Sequence, residues 1–227
     1  MLQNKQIKII ITGDGSSSIY VPDLDEHYHS TFGAIQESEH IYIGAGLNSL
    51  ADSLECIDIL EVGLGTGLNA LLTFCEASKR HLKINYTGIE AFPLSQEFYQ
   101  KINYPEMLPN FQCKQAFLNL HQLSWDCVHD LSDDFSLLKI HAELQKTYLQ
   151  ENKFDLVYFD AFSPDSQPEM WNIEIFKKIY KAMKNRGVLV TYCVKGIVKQ
   201  SLKKAGFTIE KLPGPAGKRE ILRATKA

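Results

Sequence analysis

Apolar and polar positions follow two rhythms along this chain, a period of two and a period near 3.6, and the switches between them outline its elements. "KIIITGDGSSSIYV" (residues 8–21) reads as a strand, an Asp-Gly turn and a second strand. "EHIYIGAGL" (39–47) has a short alternation that predicts another strand. Together they predict an N-terminal β-hairpin extension over residues 1–55. From residue 56 strand-like runs alternate with helical ones: "CIDILEV", then "GLNALLTFCEASKR", "LKINYTGIE", "PLSQEFYQKI", and later "FDLVYFDAF", "PEMWNIEIFKKIYKAMKN", "GVLVTYCV", "GIVKQSLKKAG" and "FTIEKL". That alternation predicts an α/β domain over residues 56–227, with a mostly parallel sheet and helices on both faces. Between Phe111 and Leu149 it breaks. "WDCVHDLSDDFSLLKIHAEL" predicts a hairpin turning at Ser132-Asp133-Asp134, hence an insertion around 111–149.

Composition narrows the class. A chain of 227 residues, 44% hydrophobic and 22% charged, is long enough for a real core and has a globular balance. The apolar run "IKIII" is far short of the roughly 18 residues of a membrane span. Five cysteines (Cys56, Cys75, Cys113, Cys127, Cys193) are scattered with no C-x-x-C pair. This argues against a disulfide framework or zinc site and for a reducing cytoplasm. Charge is split unevenly. From Lys177 onward there are fourteen Lys or Arg and two acids, while residues 1–176 carry 10 basic and 25 acidic groups. Either helix surfaces merely differ in sign, or the C-terminal part is a surface for a polyanion.

The candidate chemistry begins at "ILEVGLGTGLNAL" (59–71). Open α/β sheets bind ligands beyond the carboxyl ends of their strands, where strand order reverses. Gly63, Gly65 and Gly67 follow the first sheet strand. A dinucleotide fingerprint counted from Gly63 would need glycine where Leu68 stands; counted from Gly65 it ends at Ala70. The spacing Glu61-x-Gly63-x-Gly65-x-Gly67 resembles motif I of class I S-adenosylmethionine-dependent methyltransferases. That donor has an ammonium group, for which Glu61 provides a carboxylate directly or through water. The glycines let the backbone approach the donor closely. Glu90 ends the next strand, where an acid commonly accepts ribose hydroxyls; NAD and adenosyl donors share this mark.

Asp160 stands at the end of "FDLVYFD". Methyl transfer from a sulfonium requires alignment and a nucleophile with a free lone pair. Asp160-Ala161-Phe162-Ser163-Pro164 departs from the Asn/Asp-Pro-Pro-Tyr of base-amine methylating enzymes. A carboxylate suits an aliphatic amine, orienting it and easing loss of its proton. Phe162 and Trp171 offer flat surfaces for a base, Trp171 having core packing as its plain alternative.

Over nearly its whole length the chain resembles the methyltransferase half of the bifunctional enzyme that completes 5-methylaminomethyl-2-thiouridine at the tRNA wobble position. The resemblance rests on "DGSSSIYVPDLDEHYHSTFGAIQESEHIYIGAGL", "LEVGLGTGLNAL", "GIEAFPL", "FDAFSPDSQPEMW" and "AGFTIEKLPGPAGKREIL". It implies a Rossmann-like fold, S-adenosylmethionine as methyl donor, and the primary amine of 5-aminomethyl-2-thiouridine as acceptor. Matching positions imply cofactor contacts at Glu61, Gly63, Gly65, Gly67 and Glu90 and a catalytic carboxylate at Asp160. The family's Gly-Asp near the adenine is replaced by His141-Ala142, leaving backbone groups, Glu143 or His141 for that task. Tyr28 and Ser30 lie in a segment the family places near the site mouth. Phe162, Pro164 and Trp171 fall in the acceptor segment. Lys218 and Arg219, with Lys195, Lys199, Lys203 and Lys204, would hold an anticodon stem-loop. The chain ends at Ala227, before the oxidase half, and so reads as a stand-alone methyltransferase linked to a separate enzyme supplying the aminomethyl group. No metal and no membrane are implied. The alternatives are methyl or aminopropyl transfer to a small amine, the latter with Asp165 as a second acid, and a non-enzymatic module on the same fold.

Overall fold

The computed structural model describes residues 7–108 and 111–227; the first six residues of the expected N-terminal extension lie outside it. Strands β1 (Lys8–Ile11), β2 (Ser17–Val21) and β3 (Glu26–His27) form a small antiparallel sheet. Thr12 and Ser16, with Asp14 between them, tie the β1–β2 turn, Asp14 Oδ1 accepting from Ser16 N at 3.0 Å. A short helix α1 (Ala34–Ser38) follows.

The main sheet is built from β4 (Cys56–Val62), β5 (Lys83–Glu90), β6 (Val128–Ser132), β7 (Phe135–His141), β8 (Phe154–Phe159), β9 (Met183–Thr191), β10 (Phe207–Pro213) and β11 (Glu220–Lys226). Its order is β10-β11-β9-β8-β4-β5-β7-β6, with the five inner strands β9, β8, β4, β5 and β7 parallel and antiparallel partners at each edge. Alternate residues feed two cores. Ile57, Ile59, Tyr86 and Tyr158 face α2 (Leu68–Arg80) and α5 (Phe111–Gln122), whereas Leu60, Val62, Val157 and Phe159 face α6 (Ile173–Ala182) and α7 (Gly196–Ala205). Short helices α3 (Gln96–Tyr99) and α4 (Tyr104–Met107) lead into α5. The chain runs outward from β4 through β5 to β7 and then returns to β8 on β4's other side. Strand order therefore reverses between β4 and β8, which sets their carboxyl ends side by side at the crevice where α/β sheets bind ligands.

Several expectations are corrected. The segment 39–47 is no strand: residues Glu39–Gly46 continue α1 as a helix of wide turns. Its buried residues are Ile41, Tyr42, Ile43 and Gly46, a helical spacing that a short apolar run does not distinguish from alternation. Within 111–149 the hairpin expected at Ser132-Asp133-Asp134 is formed by β6 and β7, and β7 also pairs in parallel with β5 from Ile84↔Phe135 to Glu90↔His141, as a full member of the sheet. The helix expected to reach Asn185 stops at Ala182, where β9 begins. Cys75 of α2 and Cys113 of α5 are joined as a disulfide, against the expectation from their scattered spacing. Sequence distance hid the packing of those two helices. No helix among the described residues is long and apolar enough to cross a membrane.

Trp171 belongs to the core. Its side chain is 1% exposed and meets Phe159 (centroids 4.9 Å) and Tyr192 (6.0 Å) edge-on. Its indole Nε1 donates to the Phe162 carbonyl at 2.8 Å, so it fixes the loop after β8 from beneath and presents no face to a ligand. Trp171→Ala is expected to cost about 3–5 kcal/mol in urea unfolding. Trp171→Phe should lose less, about 1–3 kcal/mol, mainly from the carbonyl left unpaired.

Candidate active site

The turn after β4 has left-handed backbone at each expected glycine, φ being 87° at Gly63, 51° at Gly65 and 74° at Gly67. Gly63 also has a steric reason. A Cβ there would stand 2.6 Å from the Asp160 carbonyl, so the turn lies directly against the end of β8. Gly63 N and Leu64 N donate to Ile89 O, and Gly65 N donates to Glu90 Oε2 at 2.9 Å. Phe92 N donates to the other oxygen of Glu90 at 2.7 Å. The end of β5 is thereby clamped to the glycine turn.

Asn69, in the first turn of α2, joins the acids. Its Nδ2 donates to Glu61 Oε1 at 2.9 Å and to Asp160 Oδ2 at 2.8 Å. Tyr86 OH donates to the remaining oxygen of Glu61 at 2.8 Å. Burial pushes Asp160 up to about 7, opposed by Tyr42 and Asn69, while Glu37 raises it further and Lys218 lowers it. The Tyr42 hydroxyl is close enough to favour the charged carboxylate, although it completes no hydrogen bond. Burial likewise lifts Glu61, against the hydrogen bonds from Asn69 and Tyr86, and Glu90, against the amides of Phe92 and Gly65.

The N-terminal segment walls this floor. Tyr28 lies over Gly65 and meets Phe162 edge-on, ring centroids 5.1 Å apart. Glu26 Oε1 accepts from the hydroxyls of both Ser163 and Ser166, the latter at 2.6 Å. Glu37 Oε2 accepts from Ser30 N at 2.7 Å, and its other oxygen stands 2.9 Å from Lys218 Nζ. Tyr192 OH donates to Ala161 O at 2.9 Å. Between these groups lies a cavity of about 650 Å³, the size of a small-molecule site.

Of the residues expected at a site, Tyr28, Gly63, Gly65, Glu90, Glu143, Asp160, Phe162 and Lys218 line this cavity. Five do not. Glu61 is fully buried and bonded to Asn69 and Tyr86, so it is not part of the cavity lining. Gly67 turns away to start α2, Pro164 and Arg219 lie outside, and Trp171 is in the core. Ala142, Glu143 and Leu144 line the wall, whereas His141 faces Trp125 outside it. Asn69, Glu26 and Glu37 also line the cavity and Tyr42 acts on Asp160, four residues that motif reading passed over. Only Asn69 had a signal, its place one turn beyond the glycines.

A family model for S-adenosyl-L-methionine-dependent methyltransferases matches residues 112–227. The chain belongs to this family. Among similar curated proteins, the tRNA 5-methylaminomethyl-2-thiouridine biosynthesis bifunctional protein MnmC of Cupriavidus metallidurans is 29% identical over 225 residues, covering 93% of this chain and 33% of that protein. The protein of the same name from Leptospira borgpetersenii is 32% identical over 217 residues, covering 88% and 32%. This methyltransferase thus spans about a third of the length of the curated relatives it matches. Its fold is that of MNMC2 from Aquifex aeolicus (TM-score 0.82, 22% identity, 100% of this chain and 72% of that one). The spermidine synthase of Thermotoga maritima is a more distant likeness (TM-score 0.62, 15% identity, 99% and 70%).

The cavity suits the family's cofactor, S-adenosylmethionine. Desolvated carboxylates with raised proton affinity suit a cation, and the buried Asn69 Oδ1 has no partner among the described residues. Glu90, with one amide on each oxygen, keeps lone pairs for ribose hydroxyls.

The Asp160 shift has a consequence for stability. From about pH 4 to 7 the folded chain holds the Asp160 proton and the unfolded chain does not, so this group's contribution falls as pH rises through that window. Asp160→Asn, always neutral, is expected to raise Tm relative to the parent protein, by a margin that widens between pH 5 and 7 and then levels. A margin independent of pH in thermal melts would contradict the burial argument.

Proposed function

We propose that this chain transfers a methyl group from S-adenosylmethionine to the primary amine of 5-aminomethyl-2-thiouridine at the tRNA wobble position, giving 5-methylaminomethyl-2-thiouridine. The observation that carries the reading is Asp160: a half-buried, desolvated carboxylate with proton affinity near neutrality, beside the cofactor turn, on the floor of a cavity with room for a side-arm amine. The names of the curated relatives point to the same acceptor.

When bound, S-adenosylmethionine supplies a methyl carbon on positively charged sulfur, already activated for displacement. The protein's share is alignment and proton handling. Asp160 as carboxylate accepts a hydrogen bond from the incoming ammonium and directs it to the cofactor turn. With its affinity raised to about 7, it is a better proton acceptor than an exposed aspartate, so it shortens the step to the neutral amine whose lone pair attacks. Glu90 binds the ribose hydroxyls. Glu61 acts through Asn69, whose amide it orients, and is a positioning residue. Gly63, Gly65 and Tyr28 would hold the donor, Gly67 starts the helix behind that turn, and the 142–144 backbone with Glu143 would serve the adenine. Phe162 walls the acceptor side, with Pro164 and Trp171 holding its loop. Arg219 and the lysines of α7 take phosphates of the anticodon stem-loop, and Lys218 borders the acceptor entrance. A separate enzyme activity supplies the aminomethyl group. A diamine acceptor fits less well, because Asp165 is turned to Lys195, outside the cavity.

The test is mass spectrometry of wobble nucleosides from undermethylated tRNA incubated with protein and S-adenosylmethionine. A gain of about 14 mass units on the aminomethyl nucleoside is expected. Product instead from a diamine and an aminopropyl donor would move the assignment to polyamine chemistry. Asp160→Ala should lower kcat by about 10²–10⁴-fold with little change in donor affinity. In the parent enzyme kcat/KM should rise with pH through about 7 as Asp160 loses its proton, and Asp160→Asn should lack that inflection.

A further inference from the structure

Phe32 is 59% exposed, yet it lines the same cavity as Asp160. A single exposed apolar side chain needs no explanation. This one differs in how firmly it is held. Gly13 N donates to Thr31 O at 2.9 Å, and Phe32 N to Ser30 Oγ at 3.2 Å. A Cβ on Gly13 would come within 2.6 Å of the Phe32 carbonyl, so the two backbones are in direct contact. The next residue, Gly33, backs onto the Asp14 carboxylate, itself fixed by the amides of Ser16 and Gln36.

The ring rests on Gly217, from the other end of the chain. A Cβ there would lie 2.2 Å from Phe32 Cδ2 and 2.5 Å from Cε2, and Gly217 has φ 81°. Both space and backbone conformation therefore require glycine under the ring. Lys218 and Arg219 follow immediately; the Lys218 ammonium is engaged with Glu37, whereas the Arg219 side chain is exposed and makes no ion pair among the described residues. A rigid aromatic at the rim of a cavity, supported by bare backbone and flanked by a guanidinium, is the pattern used for single-stranded bases: a sequence-tolerant π-face beside a phosphate contact.

We infer that Phe32, seated on Gly217, is the stacking platform for the splayed-out base that bears the aminomethyl arm, holding it while the arm reaches down to Asp160. This rests on the proposed RNA acceptor. It takes over the flat surface that Trp171, buried in the core, does not provide.

The test uses an anticodon stem-loop with 5-aminomethyl-2-thiouridine at the wobble position. Phe32→Ala and Phe32→Leu are expected to raise KM for this RNA about tenfold or more, with KM for S-adenosylmethionine and Tm unmoved, while Phe32→Tyr stays within about twofold. With 2-aminopurine at the wobble position, the parent protein should quench its fluorescence and Phe32→Ala should not. An unchanged KM in Phe32→Ala, parent-like behaviour of Phe32→Leu, or an equal rise in KM for the donor would each overturn the platform. If the parent protein fails to methylate the stem-loop at all, the acceptor assignment falls and the platform falls with it.

Discussion

One amide nitrogen organises this site. Asn69 Nδ2 has two hydrogens, and each goes to a different carboxylate, Glu61 behind it and Asp160 in front. Neither acid contacts the other, and neither rotates without breaking a charge-assisted bond. Tyr86 holds Glu61 from the far side, so the orientation of Asp160 is set through three side chains on β5, β4 and α2. These elements are fixed by sheet pairing and core packing, and the Asp160 carboxylate thereby inherits the rigidity of the sheet.

The electrostatic counterpart is a cluster of three carboxyl groups whose desolvation raises their proton affinity. Glu61, Glu90 and Asp160 are each lifted by desolvation, and none of them forms an ion pair among the described residues; Lys218 is engaged with Glu37 at the rim, and His141 acts on Glu90. A protein rarely tolerates such a cluster unless a ligand relieves it. The family's cofactor carries two cationic groups, a sulfonium and an amino-acid ammonium. Site chemistry and fold stability are thus set against each other at Asp160, as is common where a group is tuned for reaction.

Much of this was readable from the chain, and the remainder failed for definable reasons. Strand ends, glycine spacing and the acids at 90 and 160 are local features, and they locate the crevice because β4 and β8 are neighbours at the reversal of strand order. The motif leaves Glu61 acting on the donor directly or through water, and Ile57, Ile59 and Glu61 share one side of β4, toward α2 and Tyr86. Pleat parity contained that information. Tyr42 was hidden by a short apolar run whose period does not separate strand from helix. The partners of Glu26 and Glu37 were beyond reach, because nothing local in "DEHYHS" or "QESEH" announces a serine pair or a lysine far along the chain. Trp171 has the same composition cues whether it stacks on a base or supports a loop, and only packing decides.

The cavity wall is fastened from opposite ends of the polypeptide. Glu26 binds serines 137 and 140 positions away, and Glu37 meets Lys218 in the turn before the final strand. Contacts of such separation are costly in loop entropy and form late. The enclosure is thus complete only with β11 paired to β9, because that pairing sets the turn that holds Lys218 against Glu37.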